Sequence, residues 1–163
     1  FDFITTIKHD ENKGVASASN TGIRASTGDY IVRVDGDDFV NKNFLFVMSE
    51  VLNHNDGIGF VYCDYVVVRE ANQRTLEINT LDKLLDHGAG VMFRKKYLES
   101  IGLYDEKYKN CEDFDLLLRY MKNFDGYHLR LPYYRYYKQN GLSSKLEERS
   151  KLKREILEKQ HGN

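Results

Sequence analysis

The run Tyr30-Ile31-Val32-Arg33-Val34 leads straight into Asp35-Gly36-Asp37-Asp38. Ile31, Val32 and Val34 are β-branched and favour a pleated strand. Gly36 permits the turn that a strand cannot make. Carboxylates crowded at the end of a central strand repel one another unless a cation or a donor-rich ligand sits among them. Such a cluster suits a hard divalent ion held by a few carboxylates and by ligand phosphates. A solvated acidic turn is the alternative that this stretch alone leaves open.

The 163 residues around it are enough for one domain with a real core. A hydrophobic share of 41% against 30% charged residues is that of a soluble globular protein. Lys and Arg (24) nearly balance Asp and Glu (25), so bulk charge argues against a nucleic-acid partner and gives no attraction to an anionic membrane. Cys63 and Cys111 are too few for a disulfide framework and lack metal-site spacing, which makes a reducing cytoplasm the simplest compartment. No apolar run reaches the roughly 18–20 residues of a membrane span, and no basic start of a signal peptide opens the chain. The tyrosines of Tyr133-Tyr134-Arg135-Tyr136-Tyr137 suit polyhydroxylated ligands, and suit half-buried strands better.

Read in order, Phe3 to Ile7 is a short strand, and Asp10 to Gly14 is turn chemistry. Val15 to Ser26 is a helix of small residues, with Gly28 as its left-handed stop. Tyr30 to Val34 follows as a strand, so strand, helix and strand read as a parallel βαβ unit. Phe44 to Leu52 is a helix, Ile58 to Val68 a long strand with Asp64 in its middle, and Glu70 to Asp86 a short strand and a helical turn. His87-Gly88-Ala89-Gly90 is a loop whose glycines would also admit a ligand to the backbone. Val91 to Phe93 is a strand and Lys95 to Ile101 a helix ended by Gly102.

From Glu112 the pattern sharpens. Phe114, Leu117, Leu118, Met121 and Phe124 recur at helical spacing, with Asp115 and Arg119 paired on the other side. Glu112 and Asp113 fall at the helix start, where the dipole favours anions. Tyr127 to Tyr137 is strand-like, and 145–160 is a charged helix with a thin stripe of Leu152, Ile156 and Leu157. The whole, 1–163, reads as one α/β layer domain with a mostly parallel sheet.

Several segments, in this order, resemble the family 2 glycosyltransferases of GT-A fold. Asn12-Lys13-Gly14, Ala18-Ser19-Asn20-Thr21-Gly22 and Ala25-Ser26-Thr27-Gly28-Asp29-Tyr30-Ile31 look like that family's Asn-x-Gly, Ala-Arg-Asn-x-Gly and Ala-x-Gly-x-Tyr-Ile block. Asp35-Gly36-Asp37-Asp38 is similar to its Asp-x-Asp motif. Gly102-Leu103-Tyr104-Asp105-Glu106 with Glu112-Asp113-Phe114-Asp115-Leu116 and Arg119 resembles the block that carries its general base. Leu131-Pro132, Tyr134-Arg135-Tyr136 and Ser143-Ser144 look like its closing segment. Each motif alone is weak; their order and spacing together are specific.

The resemblance implies a three-layer α/β/α GT-A domain and an inverting transfer of sugar from a nucleotide donor, UDP-linked, to an acceptor hydroxyl on a cell-surface polysaccharide or similar glycan, or on a lipid-linked acceptor. Asp37 and Asp38 would bind Mn²⁺ or Mg²⁺, Asp35 would touch the ribose or an ion-bound water, and Asp113 would be the base, with Glu112 orienting the acceptor. Asn12 and Asn20 would contact donor phosphate or fix the loop, or else serve as caps. Asp64 is a weaker donor-site candidate.

Three departures accompany the resemblance. The chain opens after the family's Asp-Asp-Gly-Ser segment, so an N-terminally truncated domain lacking its base-binding half is expected. Ser19 stands where the family has Arg, and no His stands near Tyr137. An uncovered sheet edge then makes a homodimer a second expectation, and a folded domain without competent donor binding the alternative function. Peripheral membrane association belongs with a lipid-linked acceptor. Phe39 and Val40 exclude both an EF-hand loop and an aspartyl phosphatase, and no Lys-Ser/Thr phosphate loop is present.

Overall fold

Val15–Ala25 winds into the first helix, α1, which buries Ala16, Ser17, Asn20 and Ile23 along one side. It closes at Ser26, which returns to extended backbone (φ −71°, ψ 151°) and donates its hydroxyl to Ile23 O at 2.7 Å. Gly28 is therefore not the left-handed stop, and its φ is not positive. In the computed structural model the residues described are 3–69, 74–137 and 146–161. Phe3 to Ile7 forms no strand. Phe3 and Ile4 stand 83% and 61% exposed.

The chain continues as β1 (Tyr30–Val32), β2 (Phe39–Val40), α2 (Phe44–Asn53) and β3 (Ile58–Val68). Next come β4 (Arg74–Glu77), α3 (Leu81–His87), β5 (Val91–Arg94) and α4 (Lys95–Ser100). The last elements are α5 (Glu112–Met121), β6 (Asp125–Tyr137) and α6 (Leu146–His161). Thr80 caps α3 through its hydroxyl, and left-handed Gly88 ends it. Ser143 and Ser144 lie outside the described residues.

The sheet runs β1-β5-β3-β6-β2, with β4 also on β3. The expected mostly parallel arrangement is corrected: β3 and β6 are the parallel pair among the described residues, and the other pairings are antiparallel. Connection length explains this. β4 follows β3 so closely that it must fold back, whereas β3 reaches β6 only after α3, α4 and α5 have made the crossover that parallel strands require. Nor does α1 stand in a βαβ unit, because among the described residues β1 pairs with β5 alone and runs against it. Pro132 sits where the β3–β6 register slips, a place where the missing N–H costs no ladder bond.

Both faces of the sheet are covered. On one, α1, α3, α4 and α5 bury Ile23, Leu84, Leu98, Leu116 and Leu117 against Phe60, Tyr62, Val91 and Phe93. On the other, α2 presents Phe44, Met48 and Leu52, all at 0% exposure, to Val61, Cys63, Met92 and Tyr134. Each such side chain contributes about 1.5–3 kcal/mol by leaving water. These three layers follow the α/β/α expectation. The near-continuous burial of β3 is that of a strand covered on both faces. The charged tail docks through its thin stripe, Leu152, Ile156 and Leu157, onto Cys111, Phe114 and Leu118. No helix among the described residues is long and apolar enough to cross a membrane.

One consequence of the strand order governs the site. β1 and β2 lie at opposite ends of the sheet path, so residues 33–38 carry the chain from one end to the other.

Candidate active site

The strand ends at Val32, and Arg33 leaves the ladder with its guanidinium turned to three carboxylates. Nη1 and Nη2 donate to Asp113 Oδ1 and Oδ2, each at 2.8 Å. Nη1 also reaches Glu112 Oε1 at 3.3 Å, and Nε lies 3.0 Å from Asp35 Oδ1. Burial works against this charge, but Asp113, Asp35 and Glu112 outweigh it and hold the Arg33 pKa above its ordinary value.

Past Arg33, Asp38 N–H donates to Asp35 O at 3.0 Å and closes the turn. The Asp38 carboxylate latches the turn to β6, Oδ2 accepting from Tyr134 OH and Oδ1 from Tyr137 N–H, both at 2.7 Å. Burial pushes its pKa up, with these two donors opposing. Asp37 is exposed and makes no hydrogen bond or ion pair among the described residues.

The other wall is the start of α5. Cys111 takes the left-handed conformation (φ 62°) ahead of Glu112, Asp113 and Asp115. Asp115 is buried and committed to structure: it accepts from Arg119 at 2.7 and 2.9 Å, while Arg119 donates to Ile101 O and Leu103 O. Glu112 and Asp113 remain for the cleft. Burial pushes Asp113 up to about 6, with Arg33 pulling the other way and Glu112 adding to the rise. The left-handed Gly88 makes room for it, since a Cβ there would stand 2.7 Å from Asp113 Cγ.

The two walls enclose a cleft of about 270 Å³. His87 also lines it, its ring stacked on Tyr136 (5.5 Å, 21°) and edge-on to Tyr65. Ala89 N–H donates to His87 Nδ1 at 3.1 Å, so the ring hydrogen sits on Nε2, which is buried without a partner among the described residues. Burial lowers its pKa to about 4.

The structure thus brings together Asp35, Asp37, Asp38, Glu112 and Asp113. It does not bring Asn12 or Asn20 to them. Asn12 Oδ1 accepts from Gly14 N–H at 2.9 Å, beside a separate hollow under the N-terminal segment. Asn20, 1% exposed, spends its whole amide on the loop after α4: Nδ2 donates to Tyr104 O and Glu106 Oε1, and Oδ1 accepts from Tyr104 N–H. Of the roles open to it in the sequence, these bonds are those of a residue that fixes the loop. Asn20→Ala is expected to cost about 2–3 kcal/mol by stranding buried partners, read as a lower denaturation midpoint with an unchanged m-value. Asp64 likewise belongs to a buried network, accepting from Asn79 N–H at 2.9 Å and bonded to His128 at 2.7 Å, outside the cleft lining.

Among the described residues no cluster of three or more His, Cys, Asp or Glu is arranged to hold a metal ion. What is present fits a two-carboxylate site: Asp37 is free, and each Asp38 oxygen keeps a lone pair beyond its single donor. Mg²⁺ and Mn²⁺ are commonly held this way, with phosphate oxygens and water in the other positions.

Sequence reasoning passed over Arg33, although a cation set among β-branched residues two places before an acidic turn is itself the signal. It also passed over Lys109 and Arg149, which line the same cleft and carry no local pattern.

The model of the family described as "Glycosyl transferase family 2" matches residues 1–115. An uncharacterized glycosyltransferase of Haemophilus influenzae is 28% identical over 145 residues, 79% of this chain and 49% of that one. The uncharacterized glycosyltransferase YwdF of Bacillus subtilis is 26% identical over 135 residues, 74% of this chain and 49% of that one. The chain spans about half the length of these curated relatives, or less. Among solved structures, S. aureus TarS 1–349 in complex with UDP-GlcNAc aligns with a TM-score of 0.65 at 18% identity, over 82% of this chain and 42% of that one. The mannosyltransferase PcManGT from Pyrobaculum calidifontis, in complex with GDP-Man and Mn²⁺, aligns at 0.66 and 18%, over 90% and 43%. These likenesses show the fold, a GT-A glycosyltransferase fold. The match of the family model over more than half of its residues shows that the chain belongs to glycosyl transferase family 2.

Proposed function

We propose that the chain moves a sugar from a UDP-linked donor to an acceptor hydroxyl of a cell-surface polysaccharide or lipid-linked glycan, with inversion at the anomeric carbon and with Mn²⁺ or Mg²⁺. One observation carries this reading: Arg33 ties the Asp35–Asp38 turn and Glu112–Asp113 into a single cleft. Asp113 takes the acceptor proton as the hydroxyl oxygen bonds to the anomeric carbon. The bond from that carbon to the phosphate oxygen breaks, and its electron pair leaves with the nucleoside diphosphate. Glu112 orients the acceptor, and Asp35 meets the ribose or a bound water. Asp37 and Asp38 are the residues that would hold the cation, which when bound offsets the charge gathering on the leaving diphosphate. The UDP-GlcNAc in the TarS complex and the GDP-Man and Mn²⁺ in the PcManGT complex support a nucleotide-sugar donor and a divalent ion.

The free, buried thiols of Cys63 and Cys111 support a cytoplasmic location, with peripheral membrane contact where the acceptor is lipid-linked. β1, whose outer edge is unpaired among the described residues, supports a homodimer.

A second reading, a folded domain that self-associates without competent donor binding, draws on the same ion pair, because both Asp113 oxygens are taken by Arg33. Calorimetric titration with UDP and Mn²⁺ separates the two. Tight binding that EDTA abolishes, together with metal-dependent UDP release from UDP-sugars, is the expected result. Binding and release that ignore EDTA would remove the metal from the scheme, and no binding at all would favour the second reading.

A further inference from the structure

Among the described residues the cleft is lined by six carboxylates, Asp35, Asp37, Asp38, Asp86, Glu112 and Asp113, and by three permanent cations, Arg33, Lys109 and Arg149. Such an excess of negative charge disfavours a phosphate-bearing ligand unless cations are free to meet it. Arg33 is not free, since Asp113, Glu112 and Asp35 engage it. Asp86 is neutralised by Lys153.

Lys109 and Arg149 differ from Arg33. Among the described residues Lys109 Nζ donates to the backbone carbonyl of Lys13 at 3.0 Å. Arg149 donates to Asp86 O at 2.5 Å and lies 3.5 Å from Asn110 Oδ1. These acceptors are neutral oxygens, and neither cation makes a carboxylate ion pair in the described set, although Lys109 also feels the charge of Glu106.

We propose that Lys109 and Arg149 form the anion subsite of this cleft and grip the diphosphate of the nucleotide donor. The inference rests on the donor reading above. It adds α6, which lies beyond the residues matched by the family model, to the binding machinery. The docking of α6 sets the position of Arg149. Ile156 is fully buried against Cys111 and Phe114, and Gln160 Nε2 donates to Asp115 Oδ1 at 3.1 Å. The same helix therefore braces the base-bearing end of α5 and delivers a cation beside it. Arginine's planar fork suits two phosphate oxygens, and lysine adds a point charge.

The test uses the chain with Arg149→Gln, Lys109→Gln, the double variant and Arg149→Lys. Titrations with UDP, GDP and uridine are run with Mn²⁺ at several salt concentrations, beside a melting curve for each protein. Each Gln variant is expected to weaken UDP or GDP binding about tenfold and to flatten its salt dependence, while uridine binding and melting stay as in the parent. Arg149→Lys should recover part of the loss. Parent-like diphosphate affinity in a double variant that melts normally overturns the subsite and leaves the donor reading standing. A parent chain that binds neither diphosphate overturns both. A loss that extends equally to uridine, or a lowered melting temperature that Arg149→Lys does not restore, assigns the two residues to structure instead and overturns the proposal.

Discussion

Asp113→Asn is expected to lower turnover about 10²–10⁴-fold while leaving donor binding almost unchanged, because on the proposed reading it removes the group that accepts the acceptor proton and nothing that touches the diphosphate. The measurement is kcat and donor KM for parent and variant with Mn²⁺ present. The fall should appear in kcat alone. A pH profile gives a second readout. A base must be ionised to act, and Asp113 is pushed up to about 6, so the parent rate should climb as pH rises through 6 and level off above it. The variant should lose that limb. Glu112→Gln, which keeps the base, should act chiefly on acceptor KM. Equal turnover in parent and Asp113→Asn would remove Asp113 as base.

Arg33→Met should cost about 3 kcal/mol of stability at neutral pH, since it strands carboxylates that are 12–15% exposed at Glu112 and Asp113. The loss should depend on pH in a specific direction. A carboxylate whose folded pKa lies above its unfolded value holds its proton more tightly in the folded protein. Its contribution is full below about pH 4 and is lost as pH rises through 6. In the parent, His87 opposes this over the same window. Its folded pKa is lowered to about 4, so its contribution is present above pH 6.5 and is lost as pH falls. Removing Arg33 removes the strongest influence holding Asp113 down and moves its window above 6, where His87 no longer compensates. Urea midpoints should then fall between pH 6 and 8 in Arg33→Met and stay nearly level in the parent. A parallel pair of curves would show that the ion pair contributes no net charge stabilisation.

Periodicity located most of the elements: β3 over Ile58–Val68, the core faces of α2 and α5, and the docking stripe of α6 were all legible. Pairing direction was not. It depends on which strands become neighbours, and β5 slots between β1 and β3 although nothing in Val91-Met92-Phe93 states its direction. The acidic turn was readable because like charges so close in sequence demand an explanation, whereas the α5 acids stood out only through the family resemblance, acids in a first helical turn being ordinary dipole partners. Asn20 stayed open between phosphate, loop and cap because a polar residue on a small-residue helix suits all three, and only the fold reveals Tyr104 and Glu106 closing over it. Arg149 had no pattern to betray it, being one charge in a charged helix until the docking of Ile156 fixes which side faces the cleft.

The path of residues 33–38 sets a limit on length. Six residues join the two ends of the sheet path, and part of that reach is consumed by the turn from Asp35 to Asp38. The segment behaves as a taut strap with both ends fastened, at Asp113 through Arg33 and at β6 through Asp38. A deletion inside it must unfasten one buckle, and an insertion must slacken both. Sequence change there can alter which side chains are displayed but not how many, so the spacing between carboxylates is inherited from the width of the sheet.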